Sequence, residues 1–274
     1  MTGILNDLST PALADAIKAN LYKFFRYFKR SPRAEVYETP HVVRWHTSLP
    51  HPWFNGVLST SAAPDTADQI IQETLAYFEL RNVAGLTWWF EPGLPMADWG
   101  ERLQAHGFRY DENTPGMAVD LSALNDAVKT PPNFTIASVE NLEALKEWTR
   151  TFIAGFKMPE AWEAGLFDLM SDLGFDLPIR NYTGYRNGKP VATSNLFLAA
   201  GVAGIYFVAT LPEARGQGIG AAMTLTPLWE AQQMGYRAGI LQSSELGFPV
   251  YRRLGFEKLC AMDHYYRQGA EHDD

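Results

Sequence analysis

Apolar residues recur every three or four positions over residues 10–30, where Leu13, Ile17, Leu21, Phe24 or Phe25, and Phe28 fall on one side. That spacing predicts an amphipathic helix. Thr10 is placed to cap it and Pro11 to open its first turn. Lys18, Lys23, Arg26, Lys29 and Arg30 lie in the same stretch. We read them as solvated charges on a docked helix rather than as a basic membrane-surface face. Beyond Ser31-Pro32 the period shortens. Residues 41–46 and 53–59 read as strands around the turn Leu49-Pro50-His51-Pro52. Residues 65–80 read as a helix with Ile70, Ile71, Leu75 and Phe78 on one side, and 84–90 as a buried strand ended by Glu91-Pro92-Gly93. A short helix is expected at 96–106, then a strand over 108–121 with a turn at Thr114-Pro115-Gly116.

Residues 122–133 (SALNDAVKTPPN) are polar and end in a double proline. We place a domain boundary there, dividing the chain into 1–127 and 128–274. The second half opens with a strand at 134–139 and helices at 140–155 and 159–172. Strands at 179–186 and 190–199 flank Asn187-Gly188, a hairpin turn because both residues tolerate positive φ. A strand at 204–210 leads through a glycine-rich turn into a helix at 219–234. A strand at 238–242, a short helix at 246–253 and a strand at 256–266 complete the order. Pro227 lies inside the 219–234 helix, where it removes an N–H and crowds the Met223 carbonyl, so a kink is expected near 223–227.

Composition narrows the classes. The 274 residues, 46% hydrophobic and 20% charged, suit a globular chain with a packed core, and length alone points to about two domains. The net charge of −8 argues against a broad nucleic-acid surface. It leans towards a cationic small-molecule partner and leaves room for an anionic ligand held by a local cation. Glu271, Asp273 and Asp274 contribute part of it. The one cysteine, Cys260, forms no intrachain disulfide, and a reducing cytoplasm is the simple reading. No apolar run approaches a membrane span, and the N-terminus has no signal-peptide core. His41, His46 and His51 are five apart, not a zinc-ligand spacing, so no metal is expected.

The most informative segment is 215–220. Gly216, Gly218 and Gly220 let the backbone turn tightly between a strand and a helix. The first N–H groups of that helix then face outward unpaired at the positive end of its dipole, an anion site. Arg215 adds a cation suited to phosphate oxygens. Gly216-x-Gly218-x-x-Ala221 also fits a dinucleotide fingerprint. Too little chain follows for a doubly wound sheet, however, and no acid stands near 236–240 to hold a ribose. No Lys-Ser/Thr follows the glycines, which excludes a P-loop.

This segment resembles the pyrophosphate signature of the GNAT superfamily of N-acetyltransferases, Arg215-x-x-Gly218-x-Gly220 within Val208-Ala209-Thr210-Leu211-Pro212-Glu213-Ala214-Arg215-Gly216-Gln217-Gly218-Ile219-Gly220. Tyr251-Arg252-Arg253-Leu254-Gly255-Phe256 resembles its second signature, and the element order over 134–266 is also similar. Where the family often has Asn seven residues before the tyrosine, this chain has Ser244. The resemblance implies an α/β (α+β mixed sheet) fold and transfer of an acetyl group from acetyl-CoA to an amine. Val208, Ala209, Thr210, Arg215, Gly216, Gln217, Gly218, Ile219, Gly220 and Ala221 then hold the cofactor. In the family the fourth strand splays from the fifth, which implies free N–H donors at Val208 and Thr210 for the acetyl carbonyl and the pantetheine. Tyr251 is the general acid, because a phenol stays protonated at neutral pH. Ser243 and Ser244 order water, bind pantetheine or cap the short helix. Glu213 and Glu245 flank the site as loop or cap charges. Arg252 and Arg253 either reach the terminal phosphate or end a helix in solvent. No base is named.

The first half aligns with the second as a worn copy. Gly107-Phe108 matches Gly255-Phe256, helix 65–80 matches 219–234, strand 84–90 matches 238–242, and 53–59 matches 204–210. Ser61-Ala62-Ala63-Pro64-Asp65 replaces the glycine loop, and Leu103 stands where Tyr251 would. The expectation is two GNAT-like acyl-CoA N-acyltransferase domains, each a mostly antiparallel sheet flanked by helices, with the cofactor loop kept in the second. The first supports the second and walls the acceptor cleft. Trp45, Trp53, Trp88, Trp89 and Trp99 read as core of the first half rather than as an acceptor pocket. The acceptor is a small-molecule amine or a peptide, with no nucleic acid or membrane partner, and the protein a monomer or homodimer. The alternatives are an acetyl-CoA-binding sensor without turnover and an acyltransferase with a larger donor.

Overall fold

The computed structural model describes residues 3–59, 64–83, 85–90, 98–125 and 127–268. The expected turn at Glu91-Pro92-Gly93, the loop Ser61-Ala62-Ala63 and the acidic end Glu271, Asp273 and Asp274 lie outside them. In chain order the elements are α1 (Thr10–Tyr27), β1 (Ala34–Glu38), β2 (Val42–Thr47), β3 (Gly56–Ser59), α2 (Ala67–Glu79), β4 (Gly85–Phe90), α3 (Trp99–Ala105), β5 (Arg109–Asp120), β6 (Phe134–Ser138), α4 (Leu142–Gly155), α5 (Glu163–Leu173), β7 (Ile179–Arg186), β8 (Lys189–Ala199), β9 (Val202–Thr210), α6 (Ile219–Gln233), β10 (Ala238–Gln242), α7 (Phe248–Arg253) and β11 (Glu257–Gln268). Among the described residues no helix is long and apolar enough to cross a membrane.

The chain forms two compact units, and their segments interleave. One comprises Met1–Phe24 with Pro115–Cys260, the other Phe25–Thr114 with Ala261–Asp274. The sequence reading divides the chain once, at 127/128. The difference lies in the two twelve-residue strands, β5 and β11. Residues 116–120 of β5 pair with β10 in the first unit, while residues 264–268 of β11 pair with β4 in the second.

In the unit built on Pro115–Cys260 the sheet runs β5-β10-β9-β8-β7-β6, antiparallel except between β10 and β9. The β7–β8 hairpin turns through Asn187 and Gly188, both at positive φ, as their residue types require. One face packs on α6, with Leu196, Ile205, Met223, Leu225 and Leu228 buried in a common core. The other carries Trp148 and Phe152 of α4, in ring contact with each other and with Phe207. The first part of α1 belongs to this unit. Asn20, fully buried, donates to the carbonyls of Phe197 and Ala199 and accepts from the Tyr206 hydroxyl at 2.7 Å. Phe24 stacks on the Tyr206 ring at 4.1 Å. A Cβ on Gly204 would collide with Asn20 Oδ1, so glycine is what lets the helix seat.

In the other unit β1-β2-β3-β4-β11 are neighbours, with β3–β4 the parallel pair. Ile70, Ile71, Leu75 and Phe78 of α2 pack with Trp88, Trp99, Leu103 and Phe108. Trp45, Trp88 and Trp99 are buried, as a core role requires, while Trp53 is exposed.

Two local expectations change. The strand β1, absent from the sequence reading, alternates between half-buried and exposed positions, too weak an apolar signal to stand out. The expected turn at Thr114-Pro115-Gly116 is continuous strand. Gly116 is there because a Cβ would press on the Cys260 sulfur and on Ile17. The helix α6 spans Ile219–Gln233 with Pro227 inside it.

Candidate functional site

The expected site residues converge where β9 ends and α6 begins. β9 pairs with β10 only through Ala203 and Gly204. Among the described residues, Ile205 to Thr210 have no strand partner on that side, so that edge lies open. On the other side its register with β8 slips between Thr193 and Asn195, leaving Phe207 and Val208 opposite Ser194. Phe207 takes φ +55, a conformation costly for a bulky L-residue. This bulge re-aims the strand, sending Phe207 onto Trp148 and Phe152 while Val208 packs towards the core that contains Tyr251. Val208 and Thr210 are half-buried and Ala209 is buried.

A short 3-10 turn, Pro212–Ala214, joins β9 to the glycine loop. Gly216 and Gly218 have φ +73 and +79, and Gly218 is the N-cap of α6. The first α6 bond runs from Ala222 N–H to the Gly218 carbonyl at 3.1 Å. Among the described residues the N–H groups of Ile219, Gly220 and Ala221 have no acceptor. They form a positive, outward-facing helix end of the kind that binds anions. The three glycines serve different needs. Gly216 faces open space, and Gly220 abuts Thr210 Oγ1. Gly218 is glycine also because a Cβ would run into the Lys129 carbonyl oxygen, well inside 3.0 Å.

Arg215 is engaged with the protein itself. Its Nε donates to the Thr210 carbonyl at 2.9 Å and its Nη2 to the Gly155 carbonyl at 3.2 Å. It clamps the loop to the end of β9 and to the end of α4. Gly155 lets that helix end approach, because a Cβ there would lie 2.8 Å from Ala209 Cβ. Gln217 donates from Nε2 to the Glu213 carbonyl, and the Glu213 side chain is exposed.

Tyr251, on α7, is 9% exposed and shares a core with Ile219 and Ala221 of α6. Burial pushes its phenol up to about 12, and a hydrogen bond with Thr224 opposes that in part. The contact with Thr224 places the phenol one turn beyond Gly220, and Thr224 in turn donates to the Gly220 carbonyl at 2.9 Å. The hydroxyl is therefore protonated throughout the neutral range. Ser244 is exposed, and its Oγ accepts from Gly247 N–H at 3.2 Å, so it braces the entry to α7. Ser243 is fully buried and donates to the Ser244 carbonyl at 2.8 Å. Glu245, the other cap candidate, is exposed. Arg252 and Arg253 donate to carbonyls around their own helix, those of Phe256 and Pro249.

Sequence reasoning missed Gly155, Lys129, Thr224 and Phe207. Positive φ at a phenylalanine and packing by a polar linker leave no local pattern to read.

The counterpart in the other unit is closed. β3 and β4 pair in register over all four residues of β3, Gly56–Ser59 with Thr87–Phe90. The short helices end alike. Phe108 N–H bonds to Leu103 O and Phe256 N–H to Tyr251 O, each at 3.0 Å, and Gly107 and Gly255 both have positive φ. Leu103 thus occupies the place of Tyr251 and has no proton to give.

A mixed sheet whose one parallel pair splays beside a glycine-entered helix defines the GNAT acetyltransferase fold. Comparison agrees. Residues 143–259 match the family model described as Acetyltransferase (GNAT) domain. The structure resembles a GCN5-related N-acetyltransferase from Kribbella flavida (TM-score 0.67, 19% identity, 99% of this chain and 98% of that one). It also resembles one from Sphaerobacter thermophilus (TM-score 0.60, 16% identity, 84% and 82%). A tandem GNAT protein from the clavulanic acid biosynthesis pathway matches at TM-score 0.58 and 11% identity, over 99% and 98% of the two chains. At these identities the likeness is one of fold. No curated protein matches the sequence. Residues 143–259 thus match a GNAT acetyltransferase domain, and the chain as a whole shares the fold of tandem GNAT proteins.

Proposed function

We propose that this protein is an N-acetyltransferase that moves an acetyl group from acetyl-CoA to the primary amine of a small-molecule or peptide acceptor, with its active centre in the unit built on Pro115–Cys260. The observation that carries the reading is the open edge of β9 beside the unpaired N–H groups of α6. Acetyl-CoA fits this arrangement: an extended pantetheine arm matches an unpaired strand edge, and a diphosphate matches a helix N-terminus entered through glycines. When bound it supplies an acetyl thioester, activated towards an amine.

The chain's own groups then have distinct tasks. Backbone N–H groups of Val208 and Thr210 hold the acetyl oxygen and the arm, and preorganised donors of this kind lower a barrier by about 3–4 kcal/mol. Gly216 to Ala221 receive the diphosphate, with Arg215 fixing the loop's shape. Tyr251, protonated and buried beside α6, donates its proton to the departing sulfur. Ser244 holds the turn into α7, and thereby Tyr251, in place. The other unit, with its strands closed and Leu103 in place of the tyrosine, binds no cofactor.

The test is thiol release from acetyl-CoA across a panel of a small amine, an aminoglycoside, free amino acids and a lysine peptide, run beside direct binding. Binding with release on at least one amine supports the reading. Binding without release on any supports a sensor, and no binding refutes both.

A further inference from the structure

The segment that joins β5 to β6 is built against the glycine loop. Asn125 N–H bonds to the Leu254 carbonyl at 3.1 Å, and its Nδ2 donates to the Arg253 carbonyl at 3.0 Å, which lays the chain along the end of α7. Leu124 and Val128 pack on the core shared by Tyr251 and α6. Lys129 then meets Gly218 so closely that its carbonyl oxygen leaves no room for a side chain there. Within a stretch that the sequence reads as a linker, Leu124, Asn125, Val128 and Lys129 are therefore held against α7, the core and the N-cap of α6.

Charge makes that position consequential. A cation strengthens the hold on a diphosphate, and the chain as a whole carries −8. Arg215 has two of its guanidinium nitrogens engaged by carbonyls, and Arg252 and Arg253 each donate to a carbonyl near their own helix end. Lys129 is exposed and has no ion-pair partner among the described residues. Its backbone is anchored at the N-cap itself, and a lysine ammonium rides on a flexible four-carbon stem. It can thus reach an anion seated on the first turn of α6.

We propose that Lys129 is a cofactor-binding residue, supplying the cation that pairs with the diphosphate of acetyl-CoA. This rests on the acetyl-CoA reading above and extends the site to the segment that joins β5 to β6. The experiment is calorimetric titration of the full chain with CoA and with dephospho-CoA, for wild type and for Lys129→Arg, Lys129→Gln and Lys129→Glu, with melting temperature as the folding control. One charge-assisted phosphate contact corresponds to about tenfold in affinity. We expect Arg to bind like wild type, Gln about tenfold weaker and Glu weaker still. The loss should be equal for both ligands and shrink as salt rises. Equal affinity of all four proteins overturns the assignment while leaving the acetyl-CoA reading intact. A loss confined to CoA moves Lys129 to the 3′-phosphate and overturns it as stated. Failure of wild type to bind either ligand overturns both readings.

Discussion

Gly218→Ala and Gly216→Ala form a paired test of how the glycine loop is built. Both residues have positive φ, +79 and +73. Each substitution therefore carries the left-handed strain of an L-residue, about 1–2 kcal/mol. At Gly216 nothing else is added, because a Cβ would point into open space. At Gly218 the Cβ would meet the Lys129 carbonyl, a backbone atom that cannot rotate away. The segment at Lys129 must retreat and withdraw the partly buried Val128 from its core, which costs roughly another 1–2 kcal/mol. We expect destabilisation of about 1–2 kcal/mol for Gly216→Ala and about 2–4 kcal/mol for Gly218→Ala. At roughly 2–4 °C per kcal/mol the two should separate clearly in melting temperature. Differential scanning calorimetry without ligand is the assay, since it reads the loop's packing apart from any cofactor. If Gly218→Ala is no worse than Gly216→Ala, the segment 124–129 does not lie against the loop.

Other outcomes follow from single contacts. Tyr251→Phe should lower kcat on order of 100-fold with little change in the KM for acetyl-CoA, measured by thiol release; an unchanged kcat with chemistry rate-limiting would remove its acid role. Asn20→Ala leaves the Tyr206 hydroxyl buried without its acceptor and should cost about 2–3 kcal/mol in urea unfolding; a loss below about 0.5 kcal/mol would mean that Asn20 does not anchor α1. His51 is held down to about 4 by burial, against 6.5 ordinarily. Its folded form binds the proton more weakly than the unfolded chain, so stability is present above about pH 6.5 and is lost as pH falls towards 4. His51→Gln should flatten that part of the pH–stability curve, and an identical curve would contradict the burial.

What could be read from the sequence was local chemistry. The glycine loop, the Asn187-Gly188 turn and the two Gly-Phe helix ends are legible because positive φ selects glycine or asparagine. The stripes of α1 and α2 are legible because burial on one side imposes a helical period. Strand exchange is not, since alternation in β5 and β11 states which face is buried and not which neighbour is paired. Thr114-Pro115-Gly116 has turn chemistry, yet its glycine answers to the Cys260 sulfur. The bulge at Phe207 and the contact at Lys129 depend on tertiary contacts that leave no period. Within the site, sequence supplied the anion-binding end of α6 and Tyr251. Only the structure shows that Arg215 is a clamp and Ser244 a brace.

The central claim is that one unit holds acetyl-CoA along β9 and the start of α6 while the other, with β3 and β4 closed, holds none. Hydrogen–deuterium exchange with and without saturating acetyl-CoA tests it directly. The account predicts slowed exchange at amides from Val208 to Ala221 and no change over Gly56–Ser59 or Gly85–Phe90. Unchanged exchange over Val208 to Ala221, or protection that appears instead in β3 and β4, would contradict it.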